Sequence, residues 1–356
     1  MTASALSRPG ERERVSTKIS QIDWRLLALI CVVSGTGALM LYSVGGGSWS
    51  PWAAKHLIRF GMCVALMLAL SMVNIRFWFG LAYPVYGVAL LMLALIEVPG
   101  LGYTAMGATR WLNLGVTRIQ PSEIMKIGVV LALARWYHGA SAKEASFHWK
   151  LIYPVAIIGL PFLLVAHQPD LGSAMLIGLT GAAIMFMAGL SWKIIAAVGA
   201  AAVALLDEGS TVPFIARGSG GFLGKGFGLG SQSQLEFLPE KHTDFIFAAV
   251  SEEFGFVGSF TILACYAAII LISLRIASLS HSHFGRLAAS GVTATFAMYV
   301  LINGAMVMGL APVVGVPMPL LSYGGTVMLT VMIGFGLVMA TRVHRYAELP
   351  KGQGLI

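Results

Sequence analysis

Residues 151–189 read LIYPVAIIGLPFLLVAHQPDLGSAMLIGLTGAAIMFMAG, and this stretch decides the class of fold. Asp170 is the only Asp, Glu, Lys or Arg within it. One continuous helix over these residues would be about 58 Å long, nearly twice the roughly 30 Å hydrocarbon core of a bilayer. We therefore divide the stretch at His167-Gln168-Pro169-Asp170 and predict two membrane-spanning helices joined by a short turn.

The composition of the whole chain agrees with a polytopic membrane protein. Of its 356 residues, 57% are hydrophobic and only 11% are charged. A soluble domain has about 45–50% apolar and about 25% charged residues. The apolar residues suffice for about ten spans of roughly 20 residues each. This composition excludes a soluble enzyme, a nucleic-acid-binding domain and a disordered scaffold.

Ten hydropathic runs are predicted as transmembrane helices of an all-α polytopic membrane protein. They lie at about 24–44, 56–73, 77–97, 121–138, 151–167, 171–189, 193–207, 245–274, 287–311 and 321–341. The transmembrane domain is predicted at 23–345, between cytoplasmic tails at 1–22 and 346–356. The first tail is basic and has no apolar core, so we do not read it as a cleaved signal peptide.

The distribution of lysine and arginine predicts the orientation. With both termini in the cytoplasm, 15 of the 23 basic residues fall on the inner side, as the positive-inside rule requires. Most of the net charge of +8 then marks the cytoplasmic face. Two long connections lie on the outer side, at 98–120 and, between helices 7 and 8, at about 208–244. Loops on a rigid scaffold often carry function, so we look for chemistry there.

The first outer loop continues into the fourth helix as GATRWLNLGVTRIQPSEIMKI, residues 107–127. One hypothesis is a cationic phosphate pocket of Arg110, Arg118 and Lys126, with Gln120 adding a neutral hydrogen bond. The planar fork of arginine suits phosphate oxygens especially well. The alternative is an ion pair between Glu123 and Lys126, three residues apart on one helical face, with the arginines binding lipid headgroups.

Two further residues lie close to this outer surface. Arg59 is about one turn into the second helix, where an arginine must snorkel to the surface or find an anion. Asp170 follows Pro169 in the short turn and is read either as a helix cap or as a contact to substrate or metal.

The second outer loop ends in QLEFLPEKHTDFIFAAVSEEFGFVG, residues 234–258. Asp244 stands at the predicted boundary between water and membrane, either capping the eighth helix or taking part in chemistry. Glu236 and Glu240 are plain loop charges or substrate contacts. Glu252 and Glu253 are expected about 12 Å deeper in the same helix, paired with Lys126 or Arg59 or contacting substrate.

Three prolines interrupt the last apolar segment, NGAMVMGLAPVVGVPMPLLSYGG, residues 303–325. Non-helical backbone at membrane depth is tolerated only where it is buried in protein or lines a cavity. Ser322 then begins a stretch of small and hydroxyl-bearing residues that we expect to face such a cavity. The alternative is a broken-helix packing motif.

Together these segments resemble the SEDS family (shape, elongation, division and sporulation), and its elongation branch more than its division branch. The motifs are RWLNLG with QPSE, QPDLG, LPEKHTDFIF and MPLLSYGG, in that order. The resemblance runs from about Trp24 to Arg345. One departure is the short bridge from Asp207 to Arg217, where family members usually have a longer segment.

The resemblance implies a ten-helix peptidoglycan glycosyltransferase that polymerises lipid II into β-1,4 strands outside the cytoplasmic membrane. It assigns the general base to Asp244, with undecaprenyl pyrophosphate leaving and a divalent cation, Mg²⁺ or Mn²⁺, shielding phosphate charge. A class B penicillin-binding protein is the implied partner, because the chain has no SxxK signature. The residues assigned to substrate binding are Arg59, Arg110, Arg118, Gln120, Glu123, Lys126, Asp170, Glu236, Glu240 and Ser322.

The alternative function is a lipid II flippase, because broken helices and buried charges are also transporter features. A transporter of that kind is expected to show inverted repeats and ionisable groups at the midplane. The sequence shows no internal repeat, and its unusual charges crowd the outer half. A purely structural membrane subunit would leave the outer basic cluster unexplained.

Overall fold

The computed structural model describes residues 15–98, 102–105, 108–113, 118–140, 149–191, 220–230 and 242–350. These residues form α-helices and one small antiparallel sheet in the order β1-β2-β3. The helices are α1 (Val15–Ser20), α2 (Trp24–Val44), α3 (Trp52–Ser71), α4 (Ile75–Ile96), α5 (Pro121–Gly139), α6 (Ile152–His167), α7 (Leu171–Met187), α8 (Ile246–Glu253), α9 (Gly255–Ser278), α10 (His283–Val307) and α11 (Gly325–Val343). The strands are β1 (Gly102–Ala105), β2 (Ala108–Asn113) and β3 (Arg118–Ile119).

Most of the predicted spans are helices in the structure. Within the described ranges, seven helical segments are long and apolar enough to cross a membrane: α2, α3, α4, α6 with the 3₁₀ turn that precedes it, α9, α10 and α11. The predicted spans at 121–138 and 171–189 are the helices α5 and α7. The predicted span at 193–207 lies outside the described residues. The all-α membrane fold is therefore confirmed, whereas the number of ten spans stays a prediction.

Helices α5, α10 and α11 form the centre of the bundle. Of the spans of α10 and α11, 72% and 78% are buried, against 17–22% for α3, α4, α6 and α9. Small residues allow this close packing. At Gly291 of α10, an added Cβ would lie only 2.8 Å from Ile184 of α7 and 2.9 Å from Val130 of α5.

The predicted eighth helix is wrong in one respect, because residues 245–274 contain a break. The short, fully buried α8 ends at Glu253, and α9 begins at Gly255, which has φ +62°. Glycine adopts this left-handed conformation without steric cost. The backbone amides of Lys225 and Gly226 bind the carbonyls of Glu252 and Glu253 at 3.0 Å each. The glycine-rich loop 220–228 therefore closes over the break.

Glu252 and Glu253 lie in the last turn of α8, directly before this break, and both side chains are buried. Glu252 accepts a hydrogen bond from Lys225 Nζ at 2.6 Å. Glu253 accepts from Ser43 Oγ at 2.5 Å and from the amide of Gly228 at 3.1 Å. These carboxylates thus tie loop 220–228 to the end of α2.

We expect Gly255→Ala to lower the melting midpoint of the purified protein in detergent. An alanine there has a left-handed backbone, which costs about 1–3 kcal/mol, and its Cβ would lie 2.3 Å from the Gly224 amide nitrogen. Gly46→Ala is the matched control, because Gly46 has φ +69° but open space around it. The control measures the cost of the left-handed backbone, and the additional loss in Gly255→Ala measures the overlap. Equal midpoints for wild type and Gly255→Ala would contradict the packing described for this break.

Candidate functional site

The first outer loop places Arg110 beside the turn between α6 and α7. Arg110 lies on β2, which pairs with β1 and β3. Its guanidinium donates a hydrogen bond to the carbonyl of Pro169 and lies 4.0 Å from Asp170. The side chain is 34% exposed. The turn predicted at residues 167–170 thus meets the first outer loop.

Asp170 links this arginine to the beginning of α5. Its Oδ2 accepts from Gln120 Nε2 at 3.1 Å, and its Oδ1 accepts from the amide of Ser173 at 3.3 Å. Asp170 therefore caps α7, as predicted, and also gathers Arg110 and Gln120 from a distant part of the sequence. The helix start predicted at Pro121 is confirmed, because α5 begins there with proline in its first turn.

Glu123 and Lys126 form a buried ion pair one turn further along α5. Lys126 Nζ lies 2.6 Å from Glu123 Oε1 and 2.6 Å from the hydroxyl of Tyr299. Tyr299 also donates to Glu123 Oε2 at 2.9 Å. Lys126 is only 2% exposed. The ion pair predicted as the alternative for Glu123 and Lys126 is therefore observed, and Tyr299 of α10 hydrogen-bonds to both residues.

Asp244 lies just before α8 and is held against α10. Asn303 Nδ2 donates to the carbonyl of Asp244 at 2.8 Å and to that of Val316 at 2.7 Å. The N-cap of α8 is Phe245, and the cap makes no side-chain hydrogen bond. Both predicted roles of Asp244, capping and chemistry, therefore stay predictions. A Cβ added at Gly315 would lie 3.6 Å from Asp244 Oδ2. The backbone of Gly315 therefore lies close to this carboxylate.

An aromatic cluster surrounds Arg59 near the same end of the bundle. The rings of Trp52 and His242 stack with centroids 4.5 Å apart, and Tyr323 meets Trp52 edge-on at 4.9 Å. The guanidinium of Arg59 lies 4.8 Å from the ring centroid of Tyr323. An arginine over an aromatic face gains an electrostatic attraction. Through Tyr323 and Trp52, Arg59 is thus linked to His242, which lies two residues before Asp244.

The segment between α10 and α11 is non-helical, as its prolines predicted. Ser322 lies at its end and is buried. Its hydroxyl accepts from the amide of Met318 at 2.9 Å, and its own amide binds the Met318 carbonyl at 3.0 Å. In this structure Ser322 closes a turn that leads into α11.

Helix α10 connects the parts of the candidate site. Tyr299 binds the ion pair on α5, and Asn303 holds Asp244 four residues later, about 6 Å along the axis. We call the end of the bundle that carries Asp170 and Asp244 the site end. The backbone of Arg118 lies in β3, but its side chain falls outside the described part of the chain. Glu236 and Glu240 lie outside the described residues altogether.

Sequence reasoning missed five residues of this region. Tyr299 and Asn303 stand four apart in an otherwise apolar helix, and that spacing was a usable signal. Trp52, His242 and Tyr323 come from three distant segments, so only the folded chain brings them together.

The fold and site define an integral membrane protein whose site end gathers carboxylates and guanidinium groups. The chain belongs to the family of the cell cycle proteins FtsW, RodA and SpoVE, whose model matches residues 18–207 and 211–347. This membership confirms the resemblance stated from the motifs.

Several relatives cover nearly the whole chain. The peptidoglycan glycosyltransferase MrdB of Escherichia coli K12 is 38% identical, covering 91% of this chain and 94% of its own. A probable peptidoglycan glycosyltransferase FtsW of Geobacter sulfurreducens is 29% identical, covering 90% and 95%.

Two solved structures share the fold. The rod shape determining protein RodA of Thermus thermophilus is 32% identical, covers 92% of this chain and 98% of its own, and gives a TM-score of 0.75. A chain of a structure described as the structural coordination of polymerization and crosslinking by a peptidoglycan synthase complex is 28% identical. That match covers 92% and 99% of the two chains, with a TM-score of 0.77.

Proposed function

We propose that this chain polymerises lipid II into β-1,4 glycan strands at the outer face of the cytoplasmic membrane, during cell elongation. It is a peptidoglycan glycosyltransferase, as the names of its full-length relatives support. Those names favour glycosyl transfer over lipid II flipping. The observation that carries the mechanism is the position of Asp244, a half-buried carboxylate anchored through Asn303 at the site end.

Asp244 is proposed as the general base. Its carboxylate takes the proton of the acceptor hydroxyl while that oxygen attacks the anomeric carbon of the donor sugar. The bond from that carbon to the pyrophosphate breaks, undecaprenyl pyrophosphate leaves with the electron pair, and the anomeric configuration is inverted, as in inverting glycosidases. Gly315 lies beside this carboxylate, since a Cβ added there would contact Oδ2 at 3.6 Å.

Arg110 and Gln120 are proposed to bind the pyrophosphate. Arg110 is partly exposed, and its Nε has no hydrogen-bond partner among the described residues. Arg118 would add a second guanidinium from the adjacent strand. Asp170 positions Arg110 and Gln120 by accepting from the glutamine and balancing the arginine.

The remaining assigned residues have supporting roles in this proposal. Lys126 is enclosed by Glu123 and Tyr299, so it contributes positive potential from below the surface and fixes the start of α5. Arg59 is presented on the face of Tyr323, near the substrate headgroup. Ser322 shapes the turn that precedes α11. Glu236 and Glu240 stay predictions for acceptor binding.

A divalent cation, Mg²⁺ or Mn²⁺, is proposed as cofactor. Within the described ranges, no three His, Cys, Asp or Glu side chains group as a metal site. The proposed cation is held mainly by substrate phosphates and water, with one or two carboxylates, as is usual for Mg²⁺. Such an ion would neutralise charge on the leaving pyrophosphate. We expect EDTA to stop polymerisation and added Mg²⁺ or Mn²⁺ to restore it, measured by product length on gels; full activity in EDTA would contradict this role.

The proposed partner is a class B penicillin-binding protein, which crosslinks the strands. The likeness to a chain of a peptidoglycan synthase complex supports an association of this kind. The proposed orientation has both termini in the cytoplasm and the site end on the outer side. The excess of basic residues on the predicted inner segments supports it.

The proposed function is tested with purified protein in liposomes that carry lipid II only in the outer leaflet, with the site end facing outward. We expect glycan polymer to form without transfer of lipid II to the inner leaflet. Lipid II reaching the inner leaflet without polymer would favour the flippase alternative. No polymer from folded protein, with both cation and partner supplied, would contradict the proposal.

A further inference from the structure

An apolar groove of about 250 Å³ lies between α7, α10 and the segment after α10. Every described residue that lines it is apolar, including Met175, Leu179, Met298, Leu301, Ala305 and Pro312. Leu301 is 62% exposed, so the groove opens toward the outside of the bundle. In a membrane protein that outside is lipid.

Two close contacts border the groove. At one end, Thr180 Oγ1 donates to Thr295 Oγ1 at 3.2 Å. At the other end, a Cβ added at Gly172 would lie 2.4 Å from the carbonyl oxygen of Val314. Between these contacts α10 presents the small side chain of Ala305, which leaves the space open.

The lining of the groove begins on α7 at Met175, five residues after Asp170 of the proposed pyrophosphate site. Leu171, Met175 and Leu179 recur every four residues and so share one face of α7. This apolar stripe starts at the residue after Asp170, which lies beside Arg110. On the other wall, Val314 precedes Gly315, the residue that faces Asp244. A lipid with its charged head at Arg110 can therefore extend its chain along α7 toward this groove.

The geometry points to a groove that holds the part of the polyprenyl chain next to the pyrophosphate of the lipid substrate. This inference rests on the proposed function and adds a subsite to it. A volume of 250 Å³ equals about eight water-sized groups at about 30 Å³ each, which corresponds to about two isoprene units. A helix about 10 Å across is far too wide. The guanidinium at the upper end matches a pyrophosphate anion, whereas a zwitterionic phospholipid has no such requirement.

A binding experiment tests the groove without relying on catalysis. Polyprenyl pyrophosphate with a photoreactive diazirine on its second isoprene unit is mixed with the full chain in detergent and irradiated. Mass spectrometry is expected to find the label on α7 near Met175 and on α10 near Leu301. Label spread over the exposed faces of α6 and α9 instead would overturn the inference. An excess of phospholipid that removes the label from the groove would overturn it equally, because any acyl chain would then suffice.

A matched pair of variants tests the same groove in the polymerisation assay. Ala305→Phe fills it, and Ala264→Phe makes the same change on an exposed face of α9. For substrate with the natural chain, Ala305→Phe is expected to raise KM about tenfold, the effect of about two methylene groups losing their burial. Its kcat and melting midpoint stay close to those of Ala264→Phe.

The length of the polyprenyl chain of the substrate then tests the groove separately from the proposed function. Wild type is expected to prefer the natural chain over one cut back to a single isoprene unit, and Ala305→Phe to lose most of that preference. An unchanged preference in Ala305→Phe, with wild type polymerising normally, would overturn the groove and leave the proposed function intact. If wild type forms no polymer at all, the proposed function fails, while the photolabel still reports on the groove.

Discussion

Asp244→Asn is expected to lower the rate of lipid II polymerisation by at least about a hundredfold, the lower end of what a general base contributes. Asparagine has nearly the size of aspartate but cannot take a proton from the acceptor hydroxyl. The anchoring of this position uses the backbone carbonyl, which accepts from Asn303. The fold around the residue is therefore expected to persist, and the loss to appear in kcat with little change in KM.

The measurement is the initial rate of glycan formation by purified wild type and variant, with melting midpoints recorded alongside. Glu97→Gln is the matched control, because it removes an exposed carboxylate that pairs with His167 near the same end of the bundle. The control is expected to keep wild-type activity. An Asp244→Asn protein that is folded and polymerises at the wild-type rate would remove Asp244 from the mechanism.

Lys126→Met is expected to destabilise the protein by about 3–5 kcal/mol, the usual cost of removing one partner from a buried ion pair. Glu123 would lose its cationic partner in a site that is 3% exposed, where Tyr299 is the donor that remains among the described residues. Glu123→Leu with Lys126→Met removes both charges and is expected to recover much of that stability. Unfolding of both variants is followed in the same detergent.

Lys55→Met is the control for this series, since Lys55 is exposed at the beginning of α3. A change there is expected to stay within about 0.5 kcal/mol. If Lys126→Met is as stable as this control, the ion pair does not support the bundle. Activity of the double variant separates the two sequence hypotheses: a stable but inactive protein assigns Lys126 to substrate, and a stable active one assigns it to structure.

Local patterns explain which predictions succeeded. The helix start at Pro121, the turn at residues 167–170 and the non-helical segment before α11 all depend on prolines and apolar runs within a few residues. Such signals act through the backbone of their own segment. Such signals therefore predict local structure without knowledge of the tertiary contacts.

The break between α8 and α9 shows the opposite case. Residues 245–274 read as one apolar run, but loop 220–228 supplies the amides that bind the carbonyls at the end of α8. The left-handed Gly255 is accommodated only because Gly224 lies against it. Long-range contacts of this kind leave no periodic signal, so the break was not predicted.

By itself, the sequence determined a polytopic helical membrane protein, the family motifs and the residue types suited to pyrophosphate and proton transfer. These follow from hydropathy and from short-range backbone preferences, which do not depend on contacts with other segments. Only the tertiary structure decided that Asp170 gathers Arg110 and Gln120, that Tyr299 completes the ion pair and that Asn303 holds Asp244. Those arrangements depend on how α5, α7 and α10 pack, because each contact joins residues that are at least 50 positions apart.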